Sequence, residues 1–462
     1  MHYWLHLIIS MKHVVVMSTF SCFIHKVLLP RAVMHRNRLT AIVIICFWIF
    51  STYLHILAEL NAIDEYNTSL YEGGVSFRNV VHVPHREDID VVYTWVNGSE
   101  KKFKQDLDEY ISLIRKARYD VTADVLALNR YFDYGTLRYS LRSIEKYANW
   151  VRYIYLVTND QIPDWLNKDN PRIKIVTHKE IFLNKSHLPT FSSPAIECHI
   201  HNIKGLSNNF IYMNDDIILT SRLELSDFLT EDGKYELRFM HEKLERCNKL
   251  CASNNVSNGV CEPECNTASC EWDGDDCAGK KVPTYTENDR FFMFDSWMGS
   301  MMHAHFLFNK VFGPANRYIP EHGPHMFNRD ILRLLQYSFL YEWDKTSSIK
   351  IRHHLTMQYQ FAYNNFLLTL EENGLVNVKT NLTFVKECCN KDILELDNRD
   401  VNARRKQLDE AKKRLQLLKP KFLVITTRFL QMMYENDRDV LVNDITNFLH
   451  ELFPTPSLYE IS

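Results

Sequence analysis

Two adjacent carboxylates, Asp215 and Asp216, follow an apolar run at residues 210–214 that has the composition of a buried strand. A strand that delivers paired aspartates to its carboxyl end can hold a divalent cation against a diphosphate, because hard oxygen ligands suit Mg²⁺ or Mn²⁺. The same dipeptide also occurs in helix caps and turns, so the pair alone is a moderate signal. It makes an enzyme that uses a nucleotide sugar the leading hypothesis.

A second strand-like run, residues 89–94, leads into a polar, turn-forming segment that contains Trp95, Asn97 and Gly98. Two strand ends of this kind can converge at the switch point of an open α/β sheet, which is where such sheets bind ligands. We therefore expect this segment to lie beside the paired aspartates.

The pattern between residues 88 and 220 alternates strands with helices. Apolar runs at residues 150–159 and 173–178 predict buried strands, and apolar residues at helical spacing between 137 and 147 predict a helix. Alternation of this kind predicts an α/β domain with a mostly parallel sheet.

Further candidates for chemistry lie before and after the paired aspartates. Pro194 with Ser193 as its N-cap predicts a short helix that sets Glu197 in the first turn, facing the site. Downstream, His322 has the side chain of a general base for a sugar hydroxyl, and Arg352 can clamp a phosphate through two parallel hydrogen bonds. A single histidine is more often a core or capping residue, and sequence spacing does not prove that these groups converge.

Composition excludes several classes of protein. With 462 residues and 46% hydrophobic content, the chain can bury a large core and is expected to form more than one module. A net charge of −3 gives no basic signature, which argues against nucleic-acid binding. Residues 401–418 predict a helix whose charges lie on a solvated face.

An apolar run near the amino terminus predicts a membrane anchor. Residues 40–57 are almost wholly apolar, with arginines before them and acidic residues after them, and no small-residue cleavage pattern follows. The charge pattern predicts a single-pass type II protein with a cytosolic segment at 1–38, an anchor at 39–58, a stem at 59–85 and a lumenal remainder. A cleaved signal peptide or a buried helix is the alternative.

Glycosylation sequons and cysteines agree with a lumenal location. Glycosylation is expected at Asn67, Asn184, Asn255 and Asn381. Asn97 also begins a sequon but lies in the predicted site. Six of the eleven cysteines fall within residues 247–277, which suits an oxidising compartment.

The cysteine-rich segment contains too few apolar residues to fold by hydrophobic burial, so disulfides and a bound cation are expected to replace a core. Carboxylate and amide oxygens around a glycine turn are calcium ligands by chemistry. Zinc is the alternative, although the acidic spacing and the lack of histidine within the cluster argue against it. The pairing of the cysteines stays open on sequence alone.

This segment resembles a Notch/Lin-12 repeat in its cysteine spacing and in the Trp-Asp-Gly-x-Asp-Cys motif at residues 272–277. The resemblance places the repeat at residues 245–278 and implies the disulfides Cys247–Cys270, Cys251–Cys265 and Cys261–Cys277. It implies that the Ca²⁺ ligands are Asn258, Asn266, Asp273 and Asp276. We expect a role in structure and protein contact; whether Ca²⁺ affects activity or only folding stays open.

Four stretches resemble the conserved regions of the Stealth family: residues 90–99, 137–144, 188–197 with 214–216, and 322–352. The similarity includes the inserted Notch-like repeat. It implies a Rossmann-like, GT-A-like catalytic domain in two halves, residues 86–240 and 285–460.

The family resemblance implies a phosphoryl transfer in the Golgi. N-acetylglucosamine 1-phosphate would pass from UDP-N-acetylglucosamine to the 6-hydroxyl of a mannose on high-mannose glycans of lysosomal enzymes, with release of UMP and with Mg²⁺ or Mn²⁺ as cofactor. Glu197, Asp215 and Asp216 would hold the metal and the donor phosphates. His322 would take the proton of the mannose hydroxyl, and Arg352 would stabilise charge on the phosphoryl oxygens.

The same resemblance implies a set of substrate-binding residues, namely Trp95, Asn97, Gly98, Arg130, Asp133 and His325. The alternatives are another Stealth-type hexose-1-phosphate transferase, a metal-dependent glycosyltransferase that releases UDP, and an inactive Golgi-anchored binding protein. Homodimerisation and a separate gamma-type subunit stay open.

Overall fold

A computed structural model describes residues 88–116, 131–244, 246–247, 250–267, 270–274, 276–277, 296–374, 378–384, 391–397, 401–428 and 435–461. The chain divides into two units, residues 1–76 and 77–462, and every described residue belongs to the second. The predicted cytosolic segment, anchor and stem lie outside the described residues, as do Asn67 and Arg130. No helix among the described residues is both long and apolar enough to cross a bilayer.

The apolar runs predicted as strands form the parallel part of a central sheet. The strands are β1 (Asp90–Thr94), β2 (Ile154–Thr158), β3 (Ile173–Thr177) and β4 (Asn209–Asn214). They lie in the order β3-β2-β1-β4, which is a Rossmann-like order. The chain crosses from β3 to the other side of β1 to form β4, so the switch point lies at the carboxyl ends of β1 and β4.

The remaining strands extend this sheet or form two small ones. They are β5 (Ile217–Leu219), β6 (Tyr235–Lys243), β7 (Tyr318–Pro320), β8 (His325–Asn328), β9 (Thr380–Phe384), β10 (Lys391–Asp397) and β11 (Phe422–Arg428). Strand β8 pairs with β4 in the antiparallel direction and completes the central sheet. The small sheets have the orders β10-β11-β5 and β7-β6-β9.

Helices cover these sheets. They are α1 (Lys101–Lys116), α2 (Thr136–Tyr147), α3 (His178–Ile181), α4 (Ser193–Glu197), α5 (Ser296–Phe312), α6 (Arg329–Ser338), α7 (Leu340–Ser348), α8 (Tyr359–Glu372), α9 (Val401–Leu418) and α10 (Glu435–Leu452). The helices predicted at 137–147 and 401–418 are both present. Not every charged residue of α9 is solvated as predicted: Arg404 is buried, and its Nε atom donates to Asp444 at 2.8 Å.

The short helix α4 begins one residue earlier than predicted. Its N-cap is Ser192, Ser193 is its first residue, and Pro194 occupies the first turn, where a missing N–H costs nothing. Because the helix has only five residues, Glu197 is its last residue and does not lie in the first turn. The carboxylate is nevertheless buried and lines the cavity described below.

An ion pair between a buried aspartate and a half-buried arginine joins the amino ends of the central strands. Asp90 is fully buried, and its carboxylate accepts hydrogen bonds from Arg152 Nε at 2.9 Å and Arg152 Nη2 at 2.6 Å. It also accepts one from the backbone N–H of Ser207 at 2.7 Å. Such a carboxylate is stable when buried because its oxygens are all engaged. The pair fixes β1 relative to β2 and to the segment before β4, and the cavity lies at the opposite ends of these strands.

The cysteine-rich segment contains three disulfides, Cys247–Cys270, Cys251–Cys265 and Cys261–Cys277. This is the pairing that the resemblance implied. All six cysteines are thereby oxidised, so none can supply a thiolate to zinc. The segment packs against α5 through Asn309, whose Nδ2 donates to the carbonyl oxygens of Ser253 at 3.2 Å and Val256 at 2.9 Å.

Candidate active site

A cavity of about 660 Å³ opens at the carboxyl ends of β1 and β4. Its lining includes all five residues predicted for catalysis and active-site metal binding, which are Glu197, Asp215, Asp216, His322 and Arg352. These residues lie up to 155 positions apart in sequence, and the switch point of the sheet brings them together. Trp95 and His325 also line the cavity.

The paired aspartates occupy the turn between β4 and β5. Pairing of β5 with β11 holds this turn, and Ile425 N–H donates to the carbonyl oxygen of Asp216 at 3.1 Å. Burial raises the pKa of Asp215 well above its usual range, and the nearby carboxylates of Asp216 and Asp133 raise it further. Burial also raises the pKa of Asp216, although His322 opposes that shift.

The electrostatics of this turn fit a divalent cation. Atom Oδ1 of Asp216 is buried and has no hydrogen-bond partner in the part of the chain that the structure describes. Like charges held together at low dielectric disfavour ionisation, and a cation reverses that penalty. Asp216 therefore offers a hard oxygen ligand that no other described residue satisfies, and the carboxylate of Asp215, which shares a hydrogen bond with Thr136, lies beside it. Oxygen ligands of this kind suit Mg²⁺ or Mn²⁺.

His322 lies close to the aspartate pair. Its Nε2 atom is 3.7 Å from Oδ2 of Asp216, and its side chain is 39% exposed to the cavity. A histidine that is held near a carboxylate and open to solvent can accept a proton from a bound hydroxyl. The geometry suits a general base.

Arg352 and Glu197 form a second, connected group. Arg352 Nη2 donates to Ser193 Oγ at 2.5 Å, and Glu197 accepts from the Tyr212 hydroxyl at 3.0 Å. Burial raises the pKa of Glu197, while the positive charge of Arg352 and hydrogen bonds from Tyr212 and Gln360 lower it. Glu197 thus lines the cavity and interacts electrostatically with Arg352.

The loop after β1 supports the cavity wall. Trp95 lines the cavity, whereas Asn97 and Gly98 lie outside the lining. Gln161 pairs with Asn97 in both directions, accepting from its N–H at 2.8 Å and donating to its carbonyl oxygen at 3.0 Å. Oδ1 of Asn97 accepts from Ser99 N–H, so its side chain caps the turn.

Gly98 allows close contact between two segments of the wall. Its N–H donates to the carbonyl oxygen of Tyr131 at 2.7 Å. A Cβ atom at Gly98 would lie 2.2 Å from that oxygen and 2.6 Å from the Cβ of Tyr131. Asp133, which also lies outside the lining, accepts from Gly135 N–H at 2.7 Å. Gly98 and Asp133 thus support the cavity wall without lining the cavity themselves.

Substituting Gly98 by alanine should push the Tyr131 segment away and lower the free energy of unfolding by about 1–3 kcal/mol, as overpacking does. Denaturant unfolding of the purified protein measures this. Gly323→Ala is the matched control, because a Cβ there meets nothing nearer than 3.9 Å. A Gly98→Ala protein as stable as the Gly323→Ala protein would contradict the packing argument.

Sequence reasoning missed several residues that shape the site. Tyr212 and Gln360 contact Glu197, and Gln161 fixes the loop after β1. Tyr212 lies in the strand predicted before the aspartate pair, so its place near the site could have been anticipated. The two glutamines carry no sequence signal, because their partners lie far away in the chain.

The Notch-like segment has a separate group of carboxylates. Asp273 has no exposed surface, and its Oδ2 accepts from Glu262 N–H at 2.8 Å. Oδ1 of Asp273 and Oε2 of Glu262 are buried and lack hydrogen-bond partners within the described ranges. Two such oxygens fit Ca²⁺ chemically. Glu262 was not among the predicted ligands.

The other predicted calcium ligands have different surroundings. Asp276 accepts from Gly259 N–H at 2.8 Å, and Asn258 accepts from Val260 N–H at 2.7 Å. Asn266 is buried. That these three residues bind Ca²⁺ stays a prediction. Asp273 differs from them in having a buried oxygen without a hydrogen-bond partner among the described residues.

Calcium binding to this segment should depend on pH. Burial raises the pKa of Asp273 to about 6, so below pH 6 a proton competes with the cation. In metal-free protein, the contribution of Asp273 to stability should fall as pH rises from about 4, the unfolded value, through about 6. We expect the Ca²⁺-induced rise in Tm to be larger at pH 7.5 than at pH 5.

Calorimetry with Ca²⁺ or with chelator at both pH values measures this effect, and Asp273→Asn is the control. Equal Ca²⁺ effects at the two pH values would argue against Asp273 as a ligand.

Family models match most of the catalytic region. Stealth protein CR1, conserved region 1, matches residues 87–113; conserved region 2 matches residues 130–237; and conserved region 3 matches residues 321–369. The chain thus contains three conserved regions of the Stealth family. The aspartate pair and the segment with Glu197 fall within one conserved region, and an LNR domain of the Notch type matches residues 244–278.

The chain is similar to two proteins that are named phosphotransferases. The chain is 47% identical over 169 residues to the human N-acetylglucosamine-1-phosphotransferase subunits alpha/beta, covering 37% of this chain and 13% of that protein. It is 30% identical over 311 residues to the capsular polysaccharide phosphotransferase SacB of Neisseria meningitidis serogroup A, covering 66% of this chain and 48% of that protein. The matches thus span less than half the length of these relatives.

Among solved structures, mouse xyloside xylosyltransferase 1 aligns with 73% of this chain and 98% of its own, at 10% identity and a TM-score of 0.27. That similarity is too low to carry a functional conclusion. The mixed α/β architecture rests on the strand order and helices described above.

Proposed function

We propose that this protein is a phosphotransferase that moves a sugar 1-phosphate from a UDP-sugar to a sugar hydroxyl and releases UMP. The observation that carries the proposal is the convergence of an aspartate pair, a cavity-exposed histidine and an arginine at one cavity. Phosphoryl transfer requires positioning and charge stabilisation more than covalent chemistry, and these groups supply both. The named relatives, which are phosphotransferases, support the same reaction class.

In the proposed reaction, the acceptor hydroxyl attacks the β-phosphorus of the donor. His322 takes the proton of the acceptor hydroxyl as the oxygen bonds to the β-phosphorus. The bond between that phosphorus and the oxygen bridging to the α-phosphate breaks, UMP leaves, and the sugar keeps its anomeric bond. Arg352 stabilises the negative charge that develops on the phosphoryl oxygens. A divalent cation held by Asp215 and Asp216 would neutralise charge on the diphosphate.

The finer form of the proposal names the substrates. The donor is UDP-N-acetylglucosamine, and the acceptor is the 6-hydroxyl of mannose on high-mannose glycans of lysosomal enzymes, as the name of the human relative supports for the donor sugar. A GT-A-like donor domain is part of this proposal. So is a type II Golgi protein with a lumenal site, which rests on the predicted anchor and on the three disulfides.

Identification of the nucleotide product tests the reaction class. The purified protein is incubated with UDP-N-acetylglucosamine, Mn²⁺ or Mg²⁺ and α-methylmannoside, and the nucleotides are separated. We expect UMP to form in proportion to acceptor consumed. Release of UDP would instead identify a glycosyltransferase, and no turnover would favour another donor or a binding protein.

A further inference from the structure

Helix α5 connects the Notch-like repeat, residues 244–278, to the cavity. Its first turns line the cavity through Trp297, Ser300 and Met301. Its later turns hold the repeat through Asn309, which donates to two backbone carbonyl oxygens there. A helix is stiff along its axis, so a shift of the repeat moves the cavity wall with it.

His303 lies midway along α5, where the repeat meets the catalytic domain. It is 4% exposed, and its Nδ1 atom is 2.8 Å from both carboxylate oxygens of Glu271, a residue of the repeat. Its Nε2 atom is 3.5 Å from Oε2 of Glu342 on α7. The two carboxylates raise the pKa of His303 despite its burial. The imidazole thus lies between a carboxylate of the repeat and a carboxylate of the catalytic domain.

The same face of α5 contacts the segment that carries Arg352. Gly299 lies one turn before His303, and residues four apart share a helix face. A Cβ atom at Gly299 would lie 2.7 Å from the Cβ of His354, so the helix and this segment are in close contact. His354 is two residues from Arg352. Movement of α5 at His303 therefore reaches the arginine at the cavity.

The turn that presents Glu271 depends on the fold of the repeat. Glu271, Trp272 and Asp273 all have left-handed backbone angles, with φ of 51°, 56° and 63°. Non-glycine residues adopt such angles only where the surroundings enforce them. The disulfide of Cys270 precedes this turn, and the buried Asp273 lies within it. The position of the Glu271 carboxylate is therefore set by the repeat as a whole.

We propose that the Notch-like repeat positions the active site through the contact of Glu271 with His303. This inference rests on the proposed phosphotransferase function for its kinetic consequence. His303 is a positioning residue: it fixes α5, and through α5 the cavity wall at Trp297 and the segment that carries Arg352. A purely structural contact would instead affect stability while leaving turnover unchanged.

A double-mutant cycle in the purified full-length protein tests this. The variants are Glu271→Gln, His303→Gln and the double variant, in which side-chain size is nearly kept. We expect each single variant to lower kcat for UMP release by roughly 5- to 10-fold, with KM for the donor within about twofold, and the double variant to be no slower than the slower single variant. Asn316→Ala is the control, because it removes the exposed 3.4 Å contact between repeat residue Asn254 and the segment after α5.

Backbone hydrogen exchange separates this inference from the proposed function. We expect Glu271→Gln to accelerate exchange in residues 296–304, and Asn316→Ala to leave it unchanged. Unchanged exchange in Glu271→Gln, or additive effects on kcat, would overturn the inference. A wild-type protein that releases no UMP would overturn the proposed function alone, since the exchange measurement does not depend on turnover.

Discussion

Replacing His322 by alanine is expected to lower kcat for UMP release by about 10²–10⁴-fold, which is the usual contribution of a general base. The physical reason is that Nε2 of His322 is 3.7 Å from Asp216 and faces the cavity. KM for the donor should change little, because the base acts on the acceptor. Steady-state UMP release at saturating acceptor measures the effect.

The matched control is His450→Ala, which removes an exposed histidine on α10 that does not line the cavity. Both variants should keep the wild-type Tm. Undiminished UMP release from His322→Ala would remove this residue from the mechanism.

The second large effect is expected at the aspartate pair. Asp216→Asn keeps shape and removes one charge, so the site should lose most of its divalent-cation affinity. Loss of a few kcal/mol of charge stabilisation corresponds to a fall in kcat/KM of about 10³-fold, since each 1.36 kcal/mol is tenfold. The rise in Tm that Mn²⁺ causes in the wild type should disappear in this variant.

The same substitution should stabilise the metal-free protein. The pKa of Asp216 is raised in the folded state, so ionisation at neutral pH opposes folding, and the stability it contributes is lost as pH rises from about 4 through the raised pKa. Asparagine cannot ionise, so the variant avoids this loss of stability. Each kcal/mol of stability regained should raise Tm by about 2–4 °C. The control is Asp409→Asn on the exposed face of α9. A metal-free Asp216→Asn protein less stable than wild type would contradict this account of the site.

The sequence predicted the parts of the site that depend on local pattern. The strand that ends at Asn214 and the turn with Asp215 follow from an apolar run and its polar end, and the structure contains both. The polar loop after β1 was also expected beside the aspartates. Such features are predictable because strand period and turn chemistry act over a few residues.

Features that depend on contacts distant in sequence were not predicted. The antiparallel strand β8, the close contact of Gly98 with Tyr131 and the pairing of Gln161 with Asn97 each join segments that spacing alone does not relate. Even the N-cap of α4 was displaced by one residue, because two adjacent serines precede Pro194 and the local pattern does not choose between them.

Transfer of phosphorus to the acceptor distinguishes the proposed phosphotransferase from a glycosyltransferase. It can be measured by ³¹P NMR of the glycoside product after incubation with UDP-N-acetylglucosamine and α-methylmannoside. We expect a phosphodiester resonance from phosphorus joined to both sugars, in an amount equal to the UMP released. A glycoside product that contains the transferred sugar but no phosphorus would contradict the proposed phosphoryl transfer.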